Sequence, residues 1–328
     1  MQITCSQCKR IRGIGGLMLF FQALEGLFSI MIMVSTGYYL TAKKFFTPDN
    51  SNLLPLLVNY VSLPTFMIWS MLNTFDRAKL LPLLSGVLVP AISMLISFSI
   101  GFVISNLLKL PANRRGTFRS AFFCSSAIFV GLPVNMALFG EGSVPFVLVY
   151  FLANAFLFWT IGNYSISLSG KTAPAKLISR ASLKQVFSPP FIGFTIAIAL
   201  VMFGVRLPNF IMVTFKYLGN MTTPLSMLFI GIVMFSVKFS EIRLTKDLLV
   251  LLMGRFVISP LIVIVVASFF PIPELMKKVF VIQSALPAMT QTTLMARLYG
   301  ADTEYAAVLV STTTIFALIA IPVYMVFI

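Results

Sequence analysis

The side chains best able to do chemistry in this chain sit where an apolar helix should tolerate none. In "FVIQSALPAMTQTTLMARLYG", Phe280 to Gly300, Pro287 falls in the middle of an apolar stretch and is followed by Thr290 and Gln291. A second stretch, "FCSSAIFVGLPVN", sets Ser125 and Ser126 ahead of Gly131, Pro133 and Asn135. Hydroxyls, carboxamides and a backbone opened by proline hydrogen-bond without carrying charge. Their natural work is to hold a polar or anionic small molecule where water is scarce. An Asn standing four or five residues before a Pro occurs twice more, as Asn59 with Pro64 and as Asn220 with Pro224, and completes the candidate set of binding and hinge residues.

Ionisable candidates are few. Glu25 and Arg255 fall within apolar stretches, where burying a charge is costly. Glu25 is a candidate proton or cation ligand, and Arg255 a candidate organiser or counter-charge. The chain has no histidine and no mid-stretch pair of carboxylates, so no proton relay of the carboxylate type is visible. It also has no G-x-S-x-G, Walker A or H-E-x-x-H pattern, which leaves a hydrolase or an ATP-driven pump without its working parts. Cys5 and Cys8 form a lone C-x-x-C with no second ligand pair, so neither a metal nor any other cofactor is expected.

The elements that must position these groups follow from composition. Hydrophobic residues make up 59% of the 328 and charged ones 10%, with a mean hydropathy of +0.98. The fold class implied is an all-α polytopic membrane protein. Apolar windows of about 20 residues, the length that crosses a bilayer, recur at 21–40, 51–72, 80–108, 117–139, 143–166, 187–205, 210–236, 247–270, 275–298 and 302–327. That makes ten transmembrane helices.

A net charge of +15 would suggest a nucleic-acid partner for a soluble chain. Its placement argues for topology and contact with anionic membrane lipid instead, and no nucleic-acid role is expected. Fourteen of the 24 Lys and Arg residues, among them Lys43, Lys44, Lys109, Arg114, Lys171 and Lys246, fall at alternate loops. They mark the cytoplasmic side and put both termini outside.

An internal repeat gives the breaks a reason. Pro64 and Pro224 stand 160 positions apart (224 minus 64), as do Gly140 and Gly300 (300 minus 140). Five spans per repeat is an odd number, so the second repeat enters the membrane from the opposite side. The chain then reads as a basic tail at 1–16, a five-helix repeat at 17–166, a basic cytoplasmic linker at 167–186 and an inverted five-helix repeat at 187–328. Subtracting the offset from Pro287 lands near Ser126, so the fourth and ninth helices are both expected to be interrupted and to meet at the centre. The new helix N-termini, near Ala127 and Ala288, would aim unpaired N–H groups and positive dipole ends inward, which favours an anion.

Four stretches carry a family resemblance. "FSIMIMVSTGYYLTAKKFFTPDNSNLLPLLVNYVSLPTFMI" resembles the first two helices of the auxin efflux carrier family. "SSAIFVGLPVNMALFG", "TTPLSMLFIGIVM" and "SALPAMTQTTLMARLYGADTEYAAVLVSTTTIFALIAIPV" are similar to its fourth, seventh and ninth-to-tenth helices. The resemblance covers nearly the whole chain after the tail. It implies two inverted five-helix repeats with broken, crossing helices 4 and 9, and elevator-like alternation of transport helices 3–5 and 8–10 against scaffold helices 1, 2, 6 and 7. A homodimer through the scaffold is a further implication.

The family includes plant auxin exporters and bacterial permeases for malate or malonate. The expectation is therefore a secondary transporter of an organic carboxylate anion, most simply a malate-type dicarboxylate permease of a bacterial inner membrane, working by uniport or exchange. Alternatives are an exporter of aromatic or other monocarboxylates, a sodium-coupled organic anion symporter, and a non-transporting membrane sensor. Two departures bear on the ligand: Ser126 and Gln291 stand where the family commonly has Asn.

Overall fold

The structure, a computed structural model, describes residues 25, 28–47, 50–51, 53–75, 77, 86–171, 187–235 and 245–327. The tail with Cys5 and Cys8, and residues 172–186 of the linker, lie outside the described residues. Apart from one antiparallel bridge between Ser125 and Ala288, the regular structure among the described residues is helical.

In chain order the helices are α1 Phe28–Ala42, α2 Leu53–Thr74, α3 Leu88–Leu107, α4 Ala112–Phe123, α5 Gly131–Phe139 and α6 Glu141–Ser167. They continue as α7 Pro189–Met202, α8 Asn209–Phe235, α9 Lys246–Ser268, α10 Glu274–Ser284, α11 Gln291–Tyr299 and α12 Thr303–Phe327. Six of them, α2, α3, α6, α8, α9 and α12, are long and apolar enough to cross a membrane, and α1 and α7 are shorter apolar helices.

The remaining helices form two interrupted pairs. Residues 124–130 separate α4 from α5, and residues 285–290 separate α10 from α11. Both second halves stop on a glycine with φ of 71°, Gly140 with ψ −172° and Gly300 in the left-handed conformation with ψ 30°. A positive φ costs glycine little and other residues more, so each helix ends at a fixed point.

The remaining apolar helices are shaped by small residues and by local π turns. A π turn at Val58–Ser62 sits in α2, another at Phe158–Gly162 in α6 and a third at Gly254–Ile258 in α9. Such turns rotate the side chains that follow and often accompany functional sites.

Two packing groups result. α2 packs along α7 and the first half of α8, while α4, α6 and α11 pack on one another, with α3, α9, α10 and α12 around them. In the first group Gly193 of α7 lies so close to α2 that an added Cβ would stand 2.6 Å from the Cα of Pro64. α1 joins it by the same device: a Cβ on Gly37 would collide with the carbonyl of Leu228, and one on Gly231 with the carbonyl of Val34. In a bilayer, where lipid tails are as apolar as leucine, such close backbone approach is what holds helices together.

Gly231→Ala is therefore expected to force α1 from α8 and lower the melting temperature of the detergent-solubilised protein by several degrees. Gly142→Ala adds a carbon that meets nothing within 4 Å, and its melting temperature should match that of the wild type.

Candidate functional site

The two interruptions meet. Extended backbone at Ser125 pairs antiparallel with Ala288, and the Ser126 amide donates to the Pro287 carbonyl at 2.9 Å. Cys124 is extended, with φ −94° and ψ 134°, and residues 127–130 turn before α5 begins. The second halves consequently start at Gly131 and Gln291 rather than near Ala127 and Ala288. The reason is physical: a residue committed to strand pairing cannot begin a helix, so each break extends past its bridge residue.

Three side chains satisfy the backbone that this opens. The carboxamide of Asn154, on α6, takes both main-chain groups of Ser125: the Ser125 amide donates to Oδ1 at 3.0 Å and Nδ2 donates to the Ser125 carbonyl at 2.9 Å. Thr313, on α12, accepts the Ala288 amide on its hydroxyl at 3.1 Å. Gln283, at the end of α10, donates Nε2 to the Ala127 carbonyl at 3.2 Å and lies against Gly131, where a Cβ would strike its carboxamide.

Arg255, 1% exposed, reaches both breaks from the π turn of α9. Its Nη2 donates to the Leu286 carbonyl at 2.7 Å and its Nε to the same oxygen at 3.2 Å. Nη1 donates to Cys124 at 2.9 Å and, at 3.4 Å, to Ala121 and Phe122. These are carbonyls that a helix C-terminus leaves without partners.

Beside the crossing is a cavity of about 520 Å³, within the range of small-molecule sites. Its polar wall is Asn59, Ser126, Asn154, Ser188 and Gln291, and its apolar wall is dominated by Tyr60, Phe129, Phe151, Trp159 and Phe187. Ile128, Phe129, Met289 and Gln291 also border it, and among the described residues none of their amides has a protein acceptor. Thr290 donates its hydroxyl to Gln291 Oε1 at 3.2 Å, and among the described residues Gln291 Nε2 has no acceptor. The cavity extends to Pro189 and Pro190, where α7 starts beyond the basic linker.

Of the residues singled out from sequence, Asn59, Ser126 and Gln291 come together on this wall. Ser125 is buried behind it, and Pro287 and Thr290 border a smaller void that also touches Ser126 and Phe129. Asn135 is buried within α5, donating to the Gly131 carbonyl at 2.7 Å, and Pro133 is buried beside it. Pro64 follows the π turn of α2, whereas Asn220 and Pro224 are exposed on either side of an irregular turn at Met221 in α8. Glu25 is exposed, and Arg255 acts on backbone and is not part of the cavity wall.

Asn154, Gln283 and Thr313 were not among the sequence candidates. The repeat offset held the one available signal: Asn154 plus 160 is position 314, next to Thr313. Replacing Asn154 by Leu strands two buried main-chain groups, at about 1–3 kcal/mol each, while Thr313→Val strands one. Thermal melts in detergent should rank wild type above Thr313→Val and both above Asn154→Leu.

Known proteins give the arrangement its context. A protein of Methanocaldococcus jannaschii named as an uncharacterized transporter is 24% identical over 303 residues, covering 90% of this chain and 95% of its own length. An uncharacterized transporter of Methanothermobacter thermautotrophicus is 23% identical over 312 residues, covering 94% and 99%. The family model described as membrane transport protein matches residues 22–325, in keeping with a multi-pass membrane chain. The chain belongs to that family, the one that includes the auxin efflux carriers its sequence resembles.

Proposed function

We propose that this chain is a secondary transporter of an organic carboxylate, with the cavity beside the crossed breaks as its binding site. The observation that carries the reading is the composition of the wall: unengaged amides, carboxamides and one hydroxyl at the crossing, against a bank of aromatic rings. Hydrogen-bond donors at helix N-termini suit an anionic group, and the rings suit an apolar body.

That wall changes the order of the carboxylate readings. A malate-type dicarboxylate came first from the sequence. Five aromatic side chains offer more apolar surface than four-carbon diacids can cover, and among the described residues the wall has no Lys or Arg for a second carboxylate. An aromatic or otherwise apolar monocarboxylate fits better.

The inverted-repeat reading has support of its own. α5 and α11 are both nine residues long, start 160 positions apart (291 minus 131) and end on glycines separated by the same offset. The cavity lies between α2 and α7 on one side and α6 with the breaks on the other, which is where an elevator moving past a scaffold would carry its cargo. In this reading the cavity is open on the basic, cytoplasmic side.

Counterflow in proteoliposomes tests the proposal, with labelled phenylacetate outside and either unlabelled phenylacetate or L-malate trapped inside. Trapped phenylacetate should drive uptake at lower concentration than malate, and Gln291→Leu with Ser126→Leu should abolish it in folded protein. A preference for malate restores the dicarboxylate, and no exchange with either, or exchange unchanged in the double variant, removes this site.

A further inference from the structure

Arg255 has an electrostatic role beyond its hydrogen bonds. It is fully buried, and among the described residues no carboxylate lies within ion-pair distance of it. A lone guanidinium in the interior of a membrane protein is costly unless something balances it. Here the balance comes from main chain: the guanidinium binds carbonyls at the end of α4 and just beyond the end of α10.

Each helix C-terminus behaves as about half a negative elementary charge. Two such ends amount to about one, which the guanidinium cancels. The N-termini of α5 and α11, at Gly131 and Gln291, have no corresponding anion among the described residues. Their two half-charges remain, and together they leave the crossing about one unit positive.

We propose that Arg255 is a positioning residue that sets the sign of the potential at the cavity without touching the cargo. By silencing the negative ends of both first half-helices it lets the positive ends of both second half-helices dominate, so the site prefers a carboxylate to an uncharged molecule of the same shape. The inference rests on the cavity being the carboxylate site. Coulomb's law sets the scale of such an effect: in general, two unit charges about 10 Å apart at an effective dielectric constant of about 20 interact strongly enough to alter an affinity roughly tenfold.

The test compares phenylacetate with phenylacetamide, its uncharged counterpart, by calorimetric titration of the purified full-length protein at pH 6. At that pH the acid is ionised, and the low pH and the surrounding carbonyl oxygens both favour the charged form of a lysine replacing the arginine. Wild type should bind the carboxylate roughly tenfold more tightly than the amide. Arg255→Lys should keep that ratio within about threefold despite a lower melting temperature, and Arg255→Met should bring it close to one while phenylacetamide still binds.

A preserved ratio in Arg255→Met overturns the role, as does a lost ratio in Arg255→Lys or a parallel loss of both ligands in either variant, which would mark a purely structural residue. If Arg255→Met does not fold, the lysine variant decides. Wild type that binds both ligands equally overturns the role and leaves the cavity standing, whereas wild type that binds neither overturns the cavity reading itself.

Discussion

Backbone groups cannot be left unpaired inside a membrane, and everything at the centre of this protein answers to that constraint. Opening two helices at mid-span frees N–H and C=O groups that would each cost several kcal/mol in hydrocarbon. The breaks pair with one another at Ser125, Ser126, Pro287 and Ala288, and what they cannot offer each other is supplied by Asn154, Thr313, Gln283 and Arg255. Four of the amides left over among the described residues, those of Ile128, Phe129, Met289 and Gln291, border the cavity, where a ligand can reach them.

The supports come from different places in the chain, which makes the crossing hard to deform piecemeal. Asn154 belongs to α6, which follows the first interrupted pair, Thr313 to α12, which follows the second, and Arg255 to α9, which precedes the second. Moving either break alone would strand partners held by the other. α6 makes the point most directly, because it packs on α4 and α11 at once and contributes Asn154 and Trp159 to the cavity wall.

Sequence alone made the breaks legible because they violate a strong rule: Pro287, Thr290 and Gln291 are conspicuous only against the apolar run around them. Regular spacing also marked Gly140 and Gly300, the glycines that end α5 and α11. The supports were not legible, because Asn154 and Thr313 sit singly inside apolar helices and look like any tolerated polar residue. Nothing local distinguishes a carboxamide that holds a distant main chain from one that does not. The helix starts were misjudged by three or four residues for a related reason, since the bridge that delays them joins segments 163 positions apart (288 minus 125). Aromatic rings on the cavity wall were equally hidden: Phe and Trp in a membrane span are unremarkable until two packing groups turn them toward a shared space.

The same wall bears on energetics. Among the described residues it carries no carboxylate and no ammonium, and the chain contains no histidine, so nothing on it changes charge between about pH 5 and pH 8. On the proposed reading a carboxylate bound there meets no titratable group among the described residues of the wall, and one that crosses alone carries its own negative charge. Arg255 does not offset that charge, because its own is spent on the two helix ends. A membrane potential of 100 mV acts on one elementary charge with about 2.3 kcal/mol, which is close to a 50-fold bias. With the usual interior-negative sign the bias on a carboxylate crossing alone is outward.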